Sequence, residues 1–361
     1  MAPDRAAIRR QLLAWYRAEK RDLPFRRTKD PYRILVAEFL LQRTRMTAGL
    51  PYYERFLATF PTVRDLAGAT EADVLRVWEG LGFYGRARNL HRAAKAIVAR
   101  HRGRLPADFA ALDALPGVGE YTAGAVGSIA FSLRVPAVDG NVTRVLARIF
   151  RIEDEVSRGP GNARIRAIAA DMVPGDNPGE WNQAVMELGA TVCVPRAPRC
   201  PVCPVSGECL AAASGVQSAI PVRRAEQTVP VTRVAFAVAY RRGAALLIRR
   251  TAGLHAGMYG LPGGDVHANE GEEAAIRRHL KAMGLRALNL ERLAPVHQSF
   301  SHLRWEGWAF RCRVVGHSEG AEWIPITGLA DIPIVPVHRR LLARRGAEVA
   351  TSKRAVRRYG R

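Results

Sequence analysis

Residues 115–122, with the sequence LPGVGEYT, form a turn that could bind a phosphate group. Gly117 and Gly119 can adopt backbone angles that other residues avoid, so the amide groups of the turn can face outward at the start of a helix near Tyr121. Such amide groups are natural donors to a phosphate oxygen. An ordinary tight turn between two helices fits the same pattern equally well, so other features must decide between the two interpretations.

Two acidic residues, Glu38 and Asp139, could act on a ligand held near this turn. Asp30 and Pro31 predict an N-cap and a first helical residue, and Glu38 lies in the middle of the apolar helix that they start. Burial disfavours the charged form of a carboxyl group, so it would raise the pKa of Glu38 toward the range of a general acid. The alternative is a Glu38 that faces a groove and pairs with an arginine.

Cleavage of an N-glycosidic bond would use both acids. The departing base needs a proton, and the sugar needs a nearby negative charge while it becomes an oxocarbenium-like cation. Glu38 suits the proton donor, and Asp139 suits the carboxylate. Asp139 could also be simply the N-cap of a helix over residues 142–149. The two interpretations are compatible, because a cap would hold the carboxylate rigidly near the turn.

The charge of the chain points to nucleic acid as its partner. The 361 residues include 55 Lys and Arg against 33 Asp and Glu, a formal net charge of +22. The most apolar run, residues 34–41, is too short to span a bilayer and contains Glu38, so we predict no membrane partner. Residues 1–10 contain charges and no apolar signal core, which predicts a cytoplasmic, nucleoid-associated protein.

Four of the five cysteines are spaced as Cys-x6-Cys-x2-Cys-x5-Cys, from Cys193 through Cys200 and Cys203 to Cys209. In a reducing compartment such cysteines serve as ligands or core residues rather than as disulfides. Thiolates in one compact loop suit zinc or an iron–sulfur cluster. Zinc folds usually divide their ligands into two close pairs, whereas only Cys200 and Cys203 are close here. The spacing therefore favours an iron–sulfur cluster.

The length of the chain predicts two domains. Apolar residues recur every three or four positions over residues 1–215, which predicts an all-α domain that contains the cysteine loop at 193–209. Residues 216–230 are polar and rich in turn formers, as in a linker. Strand-like runs and one helix over residues 231–342 predict an α+β domain. Residues 343–361 form a basic tail, which we expect to be disordered or to lie on phosphate.

Taken together, these motifs resemble those of MutY-type adenine DNA glycosylases, members of the helix-hairpin-helix superfamily that includes endonuclease III. They occur in that family's order along nearly the whole chain: RDLPFR at 21–26, DPY at 30–32, Glu38, WEGLGFY at 78–84, the LPGVG turn, VDGN at 138–141 and the cysteine loop. The resemblance implies a multidomain protein. An all-α helix-hairpin-helix glycosylase domain with an iron–sulfur loop is followed by an α+β Nudix-like domain.

The resemblance also implies an activity. The protein would be a base-excision-repair enzyme that hydrolyses the glycosidic bond of adenine mispaired with 8-oxoguanine or guanine in duplex DNA. Glu38 would protonate N7 of a flipped adenine and Asp139 would stabilise the cationic sugar, with Tyr121 and Asn141 assisting. Endonuclease III types have a lysine at the Tyr121 position that forms a Schiff base. Tyr121 therefore predicts a monofunctional enzyme that leaves an abasic site.

Further site residues and one cofactor follow from the same resemblance. The implied cofactor is one structural four-iron four-sulfur cluster. The implied base pocket comprises Arg21, Phe25, Arg26, Thr44 and Gln183. The implied DNA contacts are Gln42, Arg43, Phe83, Tyr84, Gly117, Val118 and Gly119, and the implied lesion-recognition loop is Phe300-Ser301-His302. Four residues depart from the family pattern: Phe25 replaces a tryptophan, Arg43 a glutamine, Phe83 a tyrosine and Gln183 a glutamate.

The LPGG sequence at residues 261–264, with Glu270 and Arg278, resembles a Nudix box. The acidic metal ligands of that box are replaced by His279, Ala282 and Met283. Because Mg²⁺ needs a set of oxygen ligands, we do not expect hydrolysis of nucleoside diphosphates. The resemblance implies instead a domain that recognises 8-oxoguanine.

Two alternative functions differ from adenine excision. One is a thymine glycosylase of the same superfamily that acts on G·T mismatches, because some relatives also have a tyrosine at the turn. The other is a non-catalytic, basic DNA-binding protein with a structural cluster, which the charge alone would fit. In each case the expected partner is double-stranded DNA, bearing an adenine mispair under the leading hypothesis. We expect a monomer, since one enzyme would embrace one duplex.

Overall fold

The computed structural model describes residues 2–222, 228–300, 302–318 and 320–344. These residues divide into two compact units, one containing residues 2–68 and 89–222 and the other containing residues 69–88 and 228–344. Parts of the predicted linker and nearly all of the predicted basic tail lie outside the described residues. No helix in the described part of the chain is long and apolar enough to cross a membrane.

The first unit is built from α-helices, as predicted, and its described residues contain no β-strand. The helices from the start of the chain to the cysteine loop are α1 (Arg5–Glu19), α2 (Pro31–Leu41), α3 (Met46–Thr59), α4 (Val63–Gly68), α5 (Glu71–Trp78), α6 (Tyr84–His101), α7 (Phe109–Asp113), α8 (Glu120–Phe131), α9 (Gly140–Ile149), α10 (Gly159–Met172), α11 (Pro178–Thr191) and α12 (Leu210–Ala213). Of these, α5 and the start of α6 belong to the second unit.

Helix α2 begins as its sequence predicts. The Asp30 side chain accepts hydrogen bonds from the backbone amides of Tyr32 and Arg33, and Pro31 occupies the first helical position. Seven of its eleven residues are buried, so the helix has apolar neighbours on nearly every side. Glu38 is therefore held by an element that is itself rigidly packed.

The predicted phosphate turn leads into α8, whose N-cap is Gly119. Gly117 has a φ of +74°, and a Cβ there would lie 2.4 Å from the Asn89 side chain. Glycine is therefore required at this position. Gly119 has a φ of −111°, which any residue adopts, so the expectation of a special backbone angle is wrong for this glycine.

The second unit is a mixed α/β structure. Its strands are β1 (Val231–Arg241), β2 (Ala244–Arg249), β3 (Tyr259–Gly260), β4 (Gly263–Asp265), β5 (Leu285–Ser299), β6 (Arg304–Gly316) and β7 (Ala321–Pro325), with helix α13 (Glu272–Ala282) packed on the sheet. The strand order is β3-β2-β1-β6-β5, while β4 pairs with β1 and β7 pairs with β2. Strands β1 and β6 are parallel and the other pairs are antiparallel. Strands β1 and β2 form an antiparallel hairpin.

Residues 69–88 group with this second unit although their helical pattern continues that of the first. The Glu79 carboxylate accepts hydrogen bonds from the Ile334 amide and from the Arg339 guanidinium, and Arg88 donates to the Ala256 carbonyl. These polar contacts attach the segment to residues that follow it by more than 160 positions.

Candidate active site

The four predicted catalytic residues line one cavity of about 610 Å³ in the first unit. Helix α2 supplies Glu38, α8 supplies Tyr121, and the start of α9 supplies Asp139 and Asn141. The other lining residues are Leu41, Gln42, Arg43, Thr44, Arg45, Val138 and Gly140. The structure thus brings together two carboxylic acids that are far apart in the sequence.

Glu38 and Tyr121 form the centre of this cavity. The Tyr121 hydroxyl donates a hydrogen bond to Glu38 Oε2 at 2.6 Å, and it lies 3.7 Å from Met186 Sδ. Burial raises the pKa of Tyr121 well above its usual range, so the phenol keeps the proton that it donates.

Glu38 is partly exposed to the cavity but otherwise surrounded by protein. Burial raises the pKa of Glu38 to about 7, and the negative charge of Asp139 acts in the same direction. The hydrogen bond from Tyr121 and the positive charge of Arg26 oppose this rise. A carboxyl group with this pKa is protonated in a large fraction of molecules near neutral pH, as a general acid must be.

Asp139 is both an N-cap and part of the cavity. Its Oδ1 accepts from the Val142 amide at 2.7 Å, and its Oδ2 accepts from Asn141 Nδ2 at 2.7 Å. Burial raises the pKa of Asp139, whereas these hydrogen bonds favour the ionised form. The N-cap interpretation is therefore confirmed, and the cap holds the carboxylate at the cavity.

Arg144, which the sequence analysis did not select, positions Asn141. Its Nη2 donates to Asn141 Oδ1 at 2.9 Å and to the Gly189 carbonyl at 2.8 Å, while its Nε donates to the Cys193 carbonyl at 2.8 Å. A Cβ on Gly189 would lie 2.7 Å from the Asn141 Cβ, so α9 and α11 can approach closely only because this residue is glycine. The position of Asn141 on α9 is thus fixed by its hydrogen bond from Arg144 and by the close packing of α11 at Gly189.

Asn182 holds the segment that precedes Asp139. This side chain is 3% exposed, donates to Ser128 Oγ at 2.8 Å and to the Val135 carbonyl at 2.9 Å, and accepts from the Ala137 amide at 3.2 Å. A buried amide with all these partners fixes one conformation of the backbone leading to Asp139.

An ion-pair cluster in the first unit contains two of the predicted base-pocket residues and one residue that no motif indicated. Arg21 and Arg26, both predicted base-pocket residues, donate to the fully buried Glu187 at 2.6 and 2.7 Å. Burial alone would raise the pKa of Glu187, but the hydrogen bonds from these arginines outweigh it and lower the value to about 2. Gln183, the predicted pocket residue, lies one helical turn earlier on α11, and no motif indicated Glu187.

The remaining base-pocket residues are not all in the Glu38 cavity. Thr44 lines it, but Gln183 lines a different cavity of about 260 Å³, which also includes Arg26. There Gln183 accepts a hydrogen bond from the Tyr16 hydroxyl at 3.3 Å. Phe25 packs edge-on against Tyr53 with ring centroids 5.9 Å apart. Of the five predicted pocket residues, the cavity itself thus includes one.

Two of the seven predicted DNA contacts lie at the Glu38 cavity. Gln42 and Arg43 line it, and Arg43 has a φ of +56°, an uncommon value for a residue with a side chain. Gly119 lines a neighbouring cavity of about 690 Å³. Val118 is buried and its amide donates to the Leu115 carbonyl at 3.0 Å, so this amide already has a partner within the turn.

The four cysteines of the loop line one small common cavity of about 20 Å³. Among the described residues, no three His, Cys, Asp or Glu side chains are placed to hold a metal ion. Zinc needs its ligands about 2.3 Å from one shared point, whereas an iron–sulfur cluster is larger and is bound by cysteines around its periphery. The buried Arg148 lies 3.3 Å from Cys193 Sγ and donates to the Val194 and Ile220 carbonyls at 2.8 Å. Four cysteine thiols in one short loop are the kind of donor set that an iron–sulfur cluster requires.

The second unit contains a further cavity of about 280 Å³. Phe83 and Tyr84 line it together with Phe300 and His302 from the predicted recognition loop, while Ser301 lies outside the described residues. In the Nudix-like box, both carboxylate oxygens of Glu270 accept hydrogen bonds from the Arg278 guanidinium, at 2.8 and 2.7 Å. Glu270 and Arg278 of this box therefore form an ion pair with each other.

Comparisons with known proteins agree with this architecture. Residues 36–171 match the model for the HhH-GPD superfamily base excision DNA repair protein, and residues 234–344 match that for the NUDIX domain. The adenine DNA glycosylase of Rattus norvegicus is 41% identical over 230 residues, which cover 60% of this chain and 45% of the relative. That of Mycobacterium tuberculosis (strain CDC 1551 / Oshkosh) is 42% identical over 189 residues, covering 52% and 62%.

The chain spans about half the length of the curated relatives it matches. Among solved structures, a thermostable thymine-DNA glycosylase is similar with a TM-score of 0.54 and 30% identity, covering 58% of this chain and 97% of that one. The chain thus combines a helical unit that carries two acids in one cavity with a unit of the NUDIX type. Residues 36–171 therefore contain an HhH-GPD base excision DNA repair domain and residues 234–344 a NUDIX domain, and the chain is similar to adenine DNA glycosylases.

Proposed function

We propose that this protein excises adenine from mispairs with 8-oxoguanine or guanine in duplex DNA by hydrolysing the N-glycosidic bond. The observation that carries the proposal is the convergence of Glu38, with its raised pKa, and the capped Asp139 on one cavity. The curated relatives, which are adenine DNA glycosylases, support the choice of base.

The reaction starts with an adenine turned out of the duplex into the cavity, because the glycosidic bond cannot be reached inside the stack. Glu38 transfers its proton to a ring nitrogen of the base, and the C1′–N9 bond breaks with its electron pair moving to the base. The Tyr121 hydrogen bond holds one Glu38 oxygen, Oε2, and so orients the carboxyl group. Water then adds to C1′, and its proton passes to the Glu38 carboxylate.

Asp139 stabilises the sugar while C1′ carries positive charge. Its two hydrogen bonds come from the protein and favour the ionised form, so the negative charge is in place before the cation forms. Tyr121 occupies the turn position where a Schiff-base mechanism needs a lysine, and no lysine is found among the described residues that line the cavity. The product is an abasic site in an uncut strand.

One four-iron four-sulfur cluster on Cys193, Cys200, Cys203 and Cys209 completes the first unit in this proposal. When bound, it cross-links the loop and gives it a rigid shape. The superfamily generally carries such a cluster, and the shared cysteine cavity supports it. Double-stranded DNA is the partner, in keeping with the net charge of +22. The protein acts as a cytoplasmic, nucleoid-associated monomer.

Purified protein and a panel of labelled duplexes test the proposal. We expect adenine release opposite 8-oxoguanine and guanine, no thymine release from G·T, and strand breaks only after alkali. Glu38→Gln should lose excision, whereas Glu19→Gln, at an exposed glutamate in α1, should keep it. Faster release of thymine than of adenine would favour the thymine glycosylase alternative. A fully active Glu38→Gln would overturn the acid assignment.

A further inference from the structure

Arg148, in the last turn of α9, is a buried arginine without an acidic partner. It is 2% exposed. Its guanidinium donates hydrogen bonds to the carbonyls of Val194 and Ile220 at 2.8 Å, of Pro195 at 3.2 Å and of Cys193 at 3.3 Å. Its acceptors among the described residues are thus carbonyl oxygens and one sulfur, and no Asp or Glu is among them.

A buried charge is costly unless an opposite charge accompanies it. Another buried arginine of the same unit, Arg26, has such a partner in Glu187. The carbonyl dipoles around Arg148 offset part of the cost, but they do not balance its positive charge. An anionic group bound beside Arg148 would balance it.

The cysteine cavity places Arg148 beside such a group. Arg148 lines this cavity together with all four cysteines of the loop, and its Nη1 lies 3.3 Å from Cys193 Sγ. Four thiolates bring more negative charge than an iron–sulfur core neutralises, so the assembled cluster is an anion. A guanidinium N–H that donates to a thiolate sulfur stabilises that negative charge directly.

We propose that Arg148 is the counter-charge of the cluster and donates a charge-assisted hydrogen bond to the Cys193 thiolate. This inference rests on the cluster included in the proposed function and adds to it a positioning residue outside the cysteine loop. Hydrogen bonds to the sulfurs and nearby charge set the reduction potential of such a cluster. Because the reduced state is the more negative one, Arg148 should raise that potential and slow the loss of iron.

Arg148→Gln and Arg148→Lys separate the charge of this side chain from its packing. Glutamine is uncharged, whereas lysine keeps the positive charge but lacks the planar fork that serves several carbonyls at once. In the holoprotein, a redox mediator supplies one electron to the cluster, and visible absorption follows the reduction. At a fixed potential, the ratio of reduced to oxidised cluster should fall about tenfold in Arg148→Gln, a shift of about 59 mV, and less than about twofold in Arg148→Lys.

Arg196→Gln is the matched control, because it removes an exposed arginine from the same loop. Water screens an exposed charge, so this variant should change the ratio by less than about twofold. The rate at which a chelator removes iron gives a second readout, which should rise about tenfold in Arg148→Gln and less in Arg148→Lys. An Arg148→Gln protein that purifies without iron, while Arg148→Lys keeps its full complement, would support the proposal as well.

An unchanged potential in Arg148→Gln would overturn the proposal. Equal shifts in the two Arg148 variants, or equal loss of iron from both, would also overturn it, because they indicate packing alone. Zinc instead of iron in the wild-type protein would reject this inference together with the cluster. A wild-type protein that shows the predicted potentials but releases no adenine would refute the proposed excision and leave this inference standing.

Discussion

Replacement of Glu38 by glutamine should make the protein more stable at neutral and alkaline pH while abolishing excision. The pKa of Glu38 is raised in the folded state, from 4.5 to about 7, by burial. The folded protein therefore holds a proton on Glu38 that the unfolded chain has already released between these two pH values. The contribution of Glu38 to stability is fully present below pH 4.5 and is lost as the pH rises through 7.

The size of the effect follows from the two pKa values. Each pKa unit corresponds to about 1.4 kcal/mol, so ionised Glu38 should destabilise the folded state by about 3 kcal/mol above pH 7. The glutamine of the variant cannot ionise, and its amide oxygen can still accept the hydrogen bond that Tyr121 donates to Glu38. The wild-type and variant proteins should thus have similar stability at pH 4.5 and differ by about 3 kcal/mol near pH 8.

Urea unfolding of the two proteins across this pH range measures the difference directly, with tryptophan fluorescence as the signal. Calorimetry should show a rise in Tm of about 6 to 12 °C for Glu38→Gln near pH 8. Glu19→Gln, at an exposed position, serves as the control and should show no pH-dependent difference. A constant difference between wild type and Glu38→Gln over the whole pH range would show that Glu38 has an ordinary pKa, and the general-acid argument would then fail.

Three further predictions concern the surroundings of the two cavities. Glu187→Ala leaves the buried Arg26 without its carboxylate partner, so the free energy of unfolding in urea should fall by about 3 to 5 kcal/mol. Gly189→Ala forces Asn141 to move and should slow single-turnover excision at least about tenfold, with DNA binding nearly unchanged. The lowered pKa of His255 predicts that about 3 kcal/mol of stability is lost between pH 6.5 and 4, and that His255→Phe abolishes this loss in acid titrations followed by circular dichroism.

Much of the site was predictable because its signals are local. Asp30 and Asp139 cap helices through amides two or three residues away, so their roles follow from neighbouring sequence alone. The β1–β2 hairpin is likewise set by a short turn between two apolar runs. The two candidate acids could be chosen because a carboxyl group in an apolar helix and one at an N-cap each stand out from their neighbours.

What local sequence could not decide depends on residues far apart in the chain. Glu187 differs from Gln183 in that it accepts hydrogen bonds from Arg21, which lies 166 positions away in the sequence. The sequence of α11 alone therefore does not indicate which of the two residues faces the arginines. The sequence of residues 69–88 resembles another part of the helical unit. In the structure, however, the Glu79 carboxylate accepts a hydrogen bond from the Ile334 amide, 255 positions later.

The sequence by itself thus determined the order of helices and strands, the caps and the residue types able to do the chemistry, because these depend on hydrogen bonds and periodicity over a few residues. Only the tertiary structure decided the pKa of Glu38, the polar neighbours of Asn141 and the burial of His255. These properties depend on desolvation and on partners brought together by packing, and neither is encoded in any short stretch of the chain.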